Sequence, residues 1–191
     1  MRIVGGQHRG RQLETPDDLP IRPTSDRARE SLFNILEHGR MTKGGLSPIR
    51  GARVLDACCG TGALGLEALS RGATHAVFLD RDPAALRLAR RNAARLGMST
   101  QATFILADAI HPPRADQPCT LVFLDPPYRQ DLITPSTAAL SAAGWIGSGA
   151  ILVAELARGD KIPIINGLGA VDERLYGKTQ VIIYRVLNEG A

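Results

Sequence analysis

The chain has 191 residues, enough for one domain with a full hydrophobic core and too few for two of ordinary size. Hydrophobic residues at 44% and charged residues at 22% exclude a disordered or fibrous chain, and only 4% of residues are aromatic, so the core falls to aliphatics. A formal charge of +4 accommodates a nucleic-acid partner without requiring one.

Residues 1–50 carry nine Lys/Arg against six Asp/Glu, so most of the excess positive charge lies there. The segment opens with glycine-punctuated runs, Ile3-Val4-Gly5-Gly6 and Gly10-Arg11-Gln12-Leu13, that predict a hairpin. It has no apolar h-region, so no signal peptide is expected. A helix is predicted over Asp26–Glu37, with Thr24 or Ser25 as N-cap, Leu32, Ile35 and Leu36 as its apolar stripe and Gly39 as its stop. Gly44-Gly45-Leu46-Ser47-Pro48 is the expected connector to a second unit, residues 51–191.

From Arg53 the pattern alternates. Strands are predicted at Val54–Ala57, Ala76–Asp80, Thr103–Leu106, Leu121–Leu124, Ile151–Glu155 and Gln180–Leu187. Helices are predicted at Ala63–Arg71, from Asp82 (N-cap) and Pro83 to Gly97, and near residues 131–143. Short apolar runs alternating with helices predict a parallel sheet covered on both faces. No charge falls between Asp131 and Glu155, but Pro135 and three glycines divide that stretch into helix, turn and buried strand rather than a membrane span. Cys58, Cys59 and Cys119 are odd in number and lack C-x-x-C spacing, which predicts reduced thiols in a cytoplasmic protein and no metal site.

Two motifs carry chemistry. After the first strand, Asp56-Ala57-Cys58-Cys59-Gly60-Thr61-Gly62-Ala63-Leu64-Gly65 contains G-x-G-x-x-G, and Asp80 ends the second strand twenty residues past Gly60. Such a loop lets an adenosine-bearing cofactor approach bare backbone, with Asp80 accepting from its ribose. S-adenosylmethionine and NAD both meet that description. Asp56 favours the first: a carboxylate there suits a methionine ammonium and repels a pyrophosphate. Asp108, ending the third strand, could accept from an adenine amino group, with the Ala109 N–H facing a ring nitrogen. Cys58 and Arg81, flanking the loop and Asp80, complete the expected cofactor set.

The second motif is Asp125-Pro126-Pro127-Tyr128, a rigid corner after Leu121-Val122-Phe123-Leu124. A base amino group is a poor nucleophile because its lone pair is delocalised into the ring. The Asp125 carboxylate and a proline-segment carbonyl could hold its N–H groups and turn the lone pair toward an activated methyl, while Tyr128 stacks on the base. D/N-P-P-Y/F/W resembles the catalytic motif of methyltransferases acting on adenine N6, guanine N2 or glutamine amide nitrogen.

Arg2-Ile3-x-Gly5-Gly6, Gly10-Arg11-x-Leu13, Leu64–Ala73 and above all Arg22-Pro23-Thr24-Ser25-Asp26-Arg27-x-Arg29-Glu30-Ser31-Leu32-Phe33-Asn34 resemble the RsmD family, bacterial methyltransferases of guanine N2 in small-subunit ribosomal RNA. The likeness covers nearly the whole chain. It departs at Cys58-Cys59, where the family has an apolar or aromatic residue and a small one, and at Asp80, where Glu is common. The resemblance implies a Rossmann-like class I methyltransferase domain with a seven-stranded, mostly parallel sheet, last strand antiparallel, and an N-terminal extension over 1–50. It implies S-adenosylmethionine as methyl donor, S-adenosylhomocysteine as product, and ribosomal RNA, within a small-subunit particle, as partner of a monomer with no membrane attachment. An adenine-N6 DNA methyltransferase is the alternative within the class. An NAD-dependent oxidoreductase, from another class, leaves the DPPY corner without a role.

Arg9, Arg11, Arg22, Thr24 and Arg27, with Arg29, are candidates for an RNA-facing patch; ion pairs with Glu14, Asp17, Asp26 and Glu30 are the competing reading. Arg87, Arg90, Arg91 and Arg95 are expected on a solvated helix face, Trp145 in packing, and Tyr176-Gly177 beside the target pocket.

Overall fold

A computed structural model describes residues 1–16, 25–38, 47–128 and 130–187. Arg22, Thr24, Gly39 and the Gly44–Leu46 part of the connector lie outside them. Strands β1 (Arg53–Ala57), β2 (His75–Asp80), β3 (Ala102–Leu106), β4 (Cys119–Leu124), β5 (Ile146–Ala157), β6 (Leu168–Tyr176) and β7 (Thr179–Val186) form one sheet in the order β3-β2-β1-β4-β5-β7-β6. The first five are parallel, and β7 runs antiparallel to both β5 and β6. Alternate residues face opposite layers. Val54, Phe78, Leu121 and Ile183 pack on one side with α1 (Asp26–His38), α2 (Ala63–Ser70) and α3 (Pro83–Leu96). Leu55, Val77, Val122 and Ile182 pack on the other with Leu140 of α4 (Ile133–Ala142).

Helix ends follow their local chemistry. The Ser25 hydroxyl accepts from the Ala28 N–H at 3.2 Å, and Asp82 caps α3 through the Ala84 N–H at 2.8 Å, with Pro83 at the first position and Gly97 closing it at φ 73°. The N-terminal run folds back through an Arg2–Gln12 bridge, so the predicted hairpin forms in reduced form around a 3₁₀ turn at Gly6–His8.

That N-terminal run is tied to α2 by buried charge. Glu67, fully buried, accepts from the Val4 N–H at 2.8 Å and from Arg71 Nε at 2.8 Å, with Arg29 Nε at 3.7 Å. Arg71 also holds Glu37 at 2.6 Å and lies over the Phe33 ring. Arg29, read from sequence as RNA-facing, is only 1% exposed and bonds Asp26 at 2.9 Å and the Arg2 carbonyl. It is part of this clamp, because its neighbours on α1, Leu32 and Phe33, turn that face of the helix inward.

Two other differences from the sequence reading concern strands. β5 starts five residues before the predicted Ile151, across a register shift between Cys119 and Leu121. β6 is the seventh strand that the resemblance implies, at a position the sequence pattern does not mark. It is an edge strand with mixed exposure and an irregularity between Ala170 and Asp172, which erases the period-two signal.

Candidate active site

Strand order reverses between β1 and β4, and open α/β sheets bind ligands at the carboxyl ends flanking such a point. Asp56 is the penultimate residue of β1, Asp80 ends β2, Asp108 follows β3, Asp125 follows β4 and Glu155 lies near the end of β5. The topology therefore gathers five acids along one sheet edge.

The loop after β1 is tied down by its own backbone. Cys58 adopts a left-handed φ of 61°, a conformation that bulky residues rarely take. The Gly60 N–H donates to Asp80 Oδ2 and the Asp82 N–H to Asp80 Oδ1, both at 2.9 Å, so Asp80 links the glycine loop to the α3 cap. The three glycines differ in their surroundings. A Cβ on Gly60 would meet nothing within 4 Å. On Gly62 it would stand 3.1 Å from Ala89 Cβ, and on Gly65 only 2.5 Å from Phe78 Cε1. Gly62 and Gly65 are small so that α2 can lie close to β2 and α3. Gly60 borders open space.

That space is a cleft of about 410 Å³. Cys58, Gly60, Asp80, Arg81, Asp108 and Ala109 line one side and Asp125, Pro126, Pro127 and Tyr128 the other, so the structure brings the two predicted motifs together. Asp56 and Gly62 stand behind the wall; Asp56, 1% exposed, accepts from the Gly65 N–H at 2.8 Å. Leu132 and Ser136 at the start of α4 also line the cleft, which sequence reasoning did not anticipate. Arg81 stands 3.8 Å from Asp108.

Burial pushes the Asp56 carboxyl up to about 8, against the Gly65 N–H and with help from Asp80. Burial, then Glu155 and Asp56, push the Asp125 carboxyl well above the usual range. The Cys58 thiol is driven up to about 12 by burial and by Asp80, Asp125, Asp108 and Asp56. All three shifts have burial as their first cause, with the neighbouring acids adding to it, so the site disfavours a further negative charge. Among the described residues, no cluster of His, Cys, Asp and Glu is placed to hold a metal ion.

The DPPY corner crosses from the end of β4 toward α4, with the Asp125 N–H 3.4 Å from the Ala57 carbonyl. The Tyr128 hydroxyl donates to Glu155 Oε1 at 2.7 Å and lies 3.0 Å from Thr179 Oγ1. Behind Pro126, Pro127 and Tyr128 is a second pocket of about 320 Å³, walled also by Asp131, Glu155, Asp160 and Lys161. Glu155 and Thr179 were not singled out from sequence. The signal for Glu155 was present, since it is an acid at the carboxyl end of a predicted strand, like Asp80 and Asp108. Thr179 carries none.

Of the candidate RNA contacts, Arg9 reaches Glu30 at 4.0 Å and stays largely exposed. Arg11 donates to the Arg95 carbonyl at 3.1 Å. Arg27 borders a surface hollow on α1 with Ser31, Asn34 and His38. Arg91 and Arg95 both bind Glu14 at 2.8 Å, and Arg90 lies over Phe104. Trp145 is 3% exposed and donates to the Pro113 carbonyl, in keeping with packing. Tyr176 bonds the Ser31 hydroxyl at 3.0 Å and does not line either pocket.

A seven-stranded sheet of this order, with a glycine loop and acid-rich edge at the switch point, is the fold of class I S-adenosylmethionine-dependent methyltransferases. The family model described as "Conserved hypothetical protein 95" matches residues 1–185. The chain is 37% identical over 161 residues to "Ribosomal RNA small subunit methyltransferase D" of Escherichia coli (strain K12), covering 81% of this chain and 74% of that protein. It is 32% identical over 190 residues to "Putative rRNA methyltransferase YlbH" of Bacillus subtilis (strain 168), covering 97% of this chain and 98% of that protein. The chain belongs to the RsmD family. The solved structure of yhhF from Escherichia coli superimposes with a TM-score of 0.81 at 33% identity over 98% of both chains. The RNA methyltransferase from Salinibacter ruber, solved with S-adenosyl-L-homocysteine, shares the fold at a TM-score of 0.61 and 15% identity, covering 91% of this chain and 97% of that one. Among the described residues no helix is long and apolar enough to cross a membrane.

Proposed function

We propose that the chain transfers the methyl group of S-adenosylmethionine to the exocyclic N2 amine of a guanine in small-subunit ribosomal RNA. The observation that carries this reading is the placement of Asp125-Pro126-Pro127-Tyr128 as the wall between an acid-rich cofactor cleft and a second pocket. The relatives named as small-subunit rRNA methyltransferases support the substrate class.

The cleft fits the methyl donor on its own chemistry. Its volume falls within the roughly 300–1,000 Å³ of small-molecule sites. Gly60 offers backbone without a Cβ, Asp80 keeps lone pairs for ribose hydroxyls, and Asp108 with Ala109 stands where an adenine edge would lie. The acids lining the cleft, Asp80, Asp108 and Asp125, suit a ligand bearing an ammonium and a sulfonium better than a pyrophosphate, which disfavours NAD. When bound, the sulfonium supplies an already activated methyl, so no covalent nucleophile is required.

The chain's residues then place and deprotonate the acceptor. Asp125 and a proline carbonyl accept the two amine N–H groups, aligning the nitrogen lone pair with the cleft. Tyr128 presents its ring to the base. After transfer the nitrogen carries an extra proton, and Asp125, whose burial favours the protonated carboxyl, takes it. Arg9, Arg11, Arg22, Thr24 and Arg27 of the N-terminal extension supply phosphate contacts that fix register without reading sequence. The protein acts as a monomer in the cytoplasm on a small-subunit particle.

The test is to incubate purified chain with labelled S-adenosylmethionine and small-subunit particles lacking the modification, then digest the RNA to nucleosides. N2-methylguanosine is the expected product. Label in N6-methyladenosine moves the target base, and no label in RNA overturns the reading.

A further inference from the structure

Tyr128 is held at both ends. Its backbone belongs to the proline corner, and its hydroxyl closes a triangle with Glu155 Oε1 at 2.7 Å and Thr179 Oγ1 at 3.0 Å, while Thr179 itself donates to Glu155 at 3.3 Å. Glu155 is 7% exposed and Thr179 likewise 7%. Both lie on paired strands, β5 and β7, not on a loop. A hydrogen bond to a carboxylate is shorter and stronger than one between neutral groups, and burial raises the cost of breaking it. An aromatic residue that swings as a lid needs a free end. This ring has none: it is a fixed wall shared by the cofactor cleft and the second pocket.

We propose that Glu155, with Thr179, is the positioning residue of the site: it fixes the plane of the Tyr128 ring and thereby sets where the acceptor base lies relative to the methyl donor. This rests on the base-methylating reading given above. It predicts an effect on turnover greater than on cofactor binding, because misplacement by about 1 Å costs roughly a hundred-fold in rate.

The test compares Glu155→Ala, Glu155→Gln, Tyr128→Phe and the double variant Tyr128→Phe/Glu155→Ala, using small-subunit particles and S-adenosylhomocysteine as probes. Glu155→Ala is expected to lower kcat roughly ten- to a hundred-fold while S-adenosylhomocysteine affinity stays within about two-fold. Glu155→Gln is expected to recover most of that loss, since its amide oxygen still accepts from the tyrosine. Adding Glu155→Ala to Tyr128→Phe should cost nothing further, because the hydroxyl it acts through is already gone. Losses that multiply in the double variant, or a glutamine variant as poor as the alanine one, would overturn the proposal. Should the alanine variant fail to fold, the Glu155→Gln and Tyr128→Phe pair still decides.

A second readout is independent of RNA. The chain has three tyrosines, so 3-fluorotyrosine labelling gives three resonances, and Tyr128→Phe assigns one. That resonance should shift and sharpen in Glu155→Ala as the ring is released. An unchanged signal refutes the pin whatever the RNA result. A pinned ring in a protein that methylates no RNA instead refutes the proposed function.

Discussion

The glycine loop makes a sharp contrast testable. Gly60→Ala and Gly65→Ala each add one methyl group within five residues of each other, and the structure assigns them opposite consequences. At Gly60 the methyl has open space on the cleft side, but the backbone sits at φ 52°, which costs a non-glycine residue roughly 1–2 kcal/mol. At Gly65 the backbone is ordinary, but the methyl would lie 2.5 Å from Phe78 Cε1 and 2.9 Å from Cζ. Carbon atoms settle at about 3.5–4.0 Å, so the deficit is about 1 Å. Phe78 cannot yield, being fully buried and stacked on Phe104 at 5.1 Å. Overpacking of this kind costs about 1–3 kcal/mol and occasionally more. For a chain of this length each kcal/mol lowers Tm by roughly 2–4 °C, so both variants should melt several degrees early. Affinity separates them. Calorimetric titration with S-adenosylhomocysteine should show Gly60→Ala at least about ten-fold weaker, or about 1.4 kcal/mol, and Gly65→Ala within about three-fold of the parent. Equal affinity losses, or normal binding by Gly60→Ala, would refute the division into one ligand-facing glycine and two packing glycines.

Other substitutions probe the site and its support. Asp80→Ala removes the proposed ribose acceptor and should weaken S-adenosylhomocysteine binding roughly ten- to a hundred-fold by titration, since hydrogen bonds to charged groups contribute about 1.5–3 kcal/mol. Asp125→Asn should lower turnover by roughly a hundred-fold or more in a labelled-methyl assay while cofactor affinity changes by no more than about two-fold; near-normal turnover removes Asp125 from the chemistry. Glu67→Gln leaves the Arg29 and Arg71 guanidinium groups short of a buried partner, which costs roughly 3–5 kcal/mol, and hydrogen exchange at the Val4 amide should accelerate along with an early melt. Asp56→Asn tests the sign of a titration. The carboxyl pKa is raised from 3.8 to about 8 on folding, so its contribution to stability is whole below about 4 and is lost as pH rises toward 8. The variant should therefore gain on the parent across that window in thermal melts, and a difference that does not vary with pH counts against the shift.

Much of this architecture was legible in the chain because its signals are local. Asp82-Pro83 opening α3 and Gly97 closing it are spelled by residues that cap helices in any context. The parallel core strands are short apolar runs that solvent-facing pairing would not tolerate. Asp80, Asp108 and Asp125 could be placed because the carboxyl end of a strand is a position the sequence itself marks. What escaped was non-local. β6 is an edge strand whose stability comes from pairing with β7, so its own residues need no alternation. Arg29 reads as one more exposed arginine until Glu67, 38 positions away, is brought beside it. Thr179 gains meaning only when β7 lies against β5 and Tyr128 folds over both.

The G-x-G-x-x-G string shows why a motif must be read through its neighbours. Its glycines are compatible with either a dinucleotide or a nucleoside sulfonium, because both require adenosine to approach bare backbone. The decision falls to charge. In a dinucleotide site the pyrophosphate is drawn to free N–H groups at a helix N-terminus. Here the Gly65 N–H in the first turn of α2 is already taken by Asp56, and the Gly60 N–H by Asp80. The loop therefore offers carboxylates where a phosphate would need donors. A pyrophosphate entering this cleft would find neither of these amides free to receive it. Under the proposed function, cofactor choice and acceptor chemistry both follow from one row of acids at the carboxyl edge of the sheet, which the strand order assembles and the glycines merely leave open.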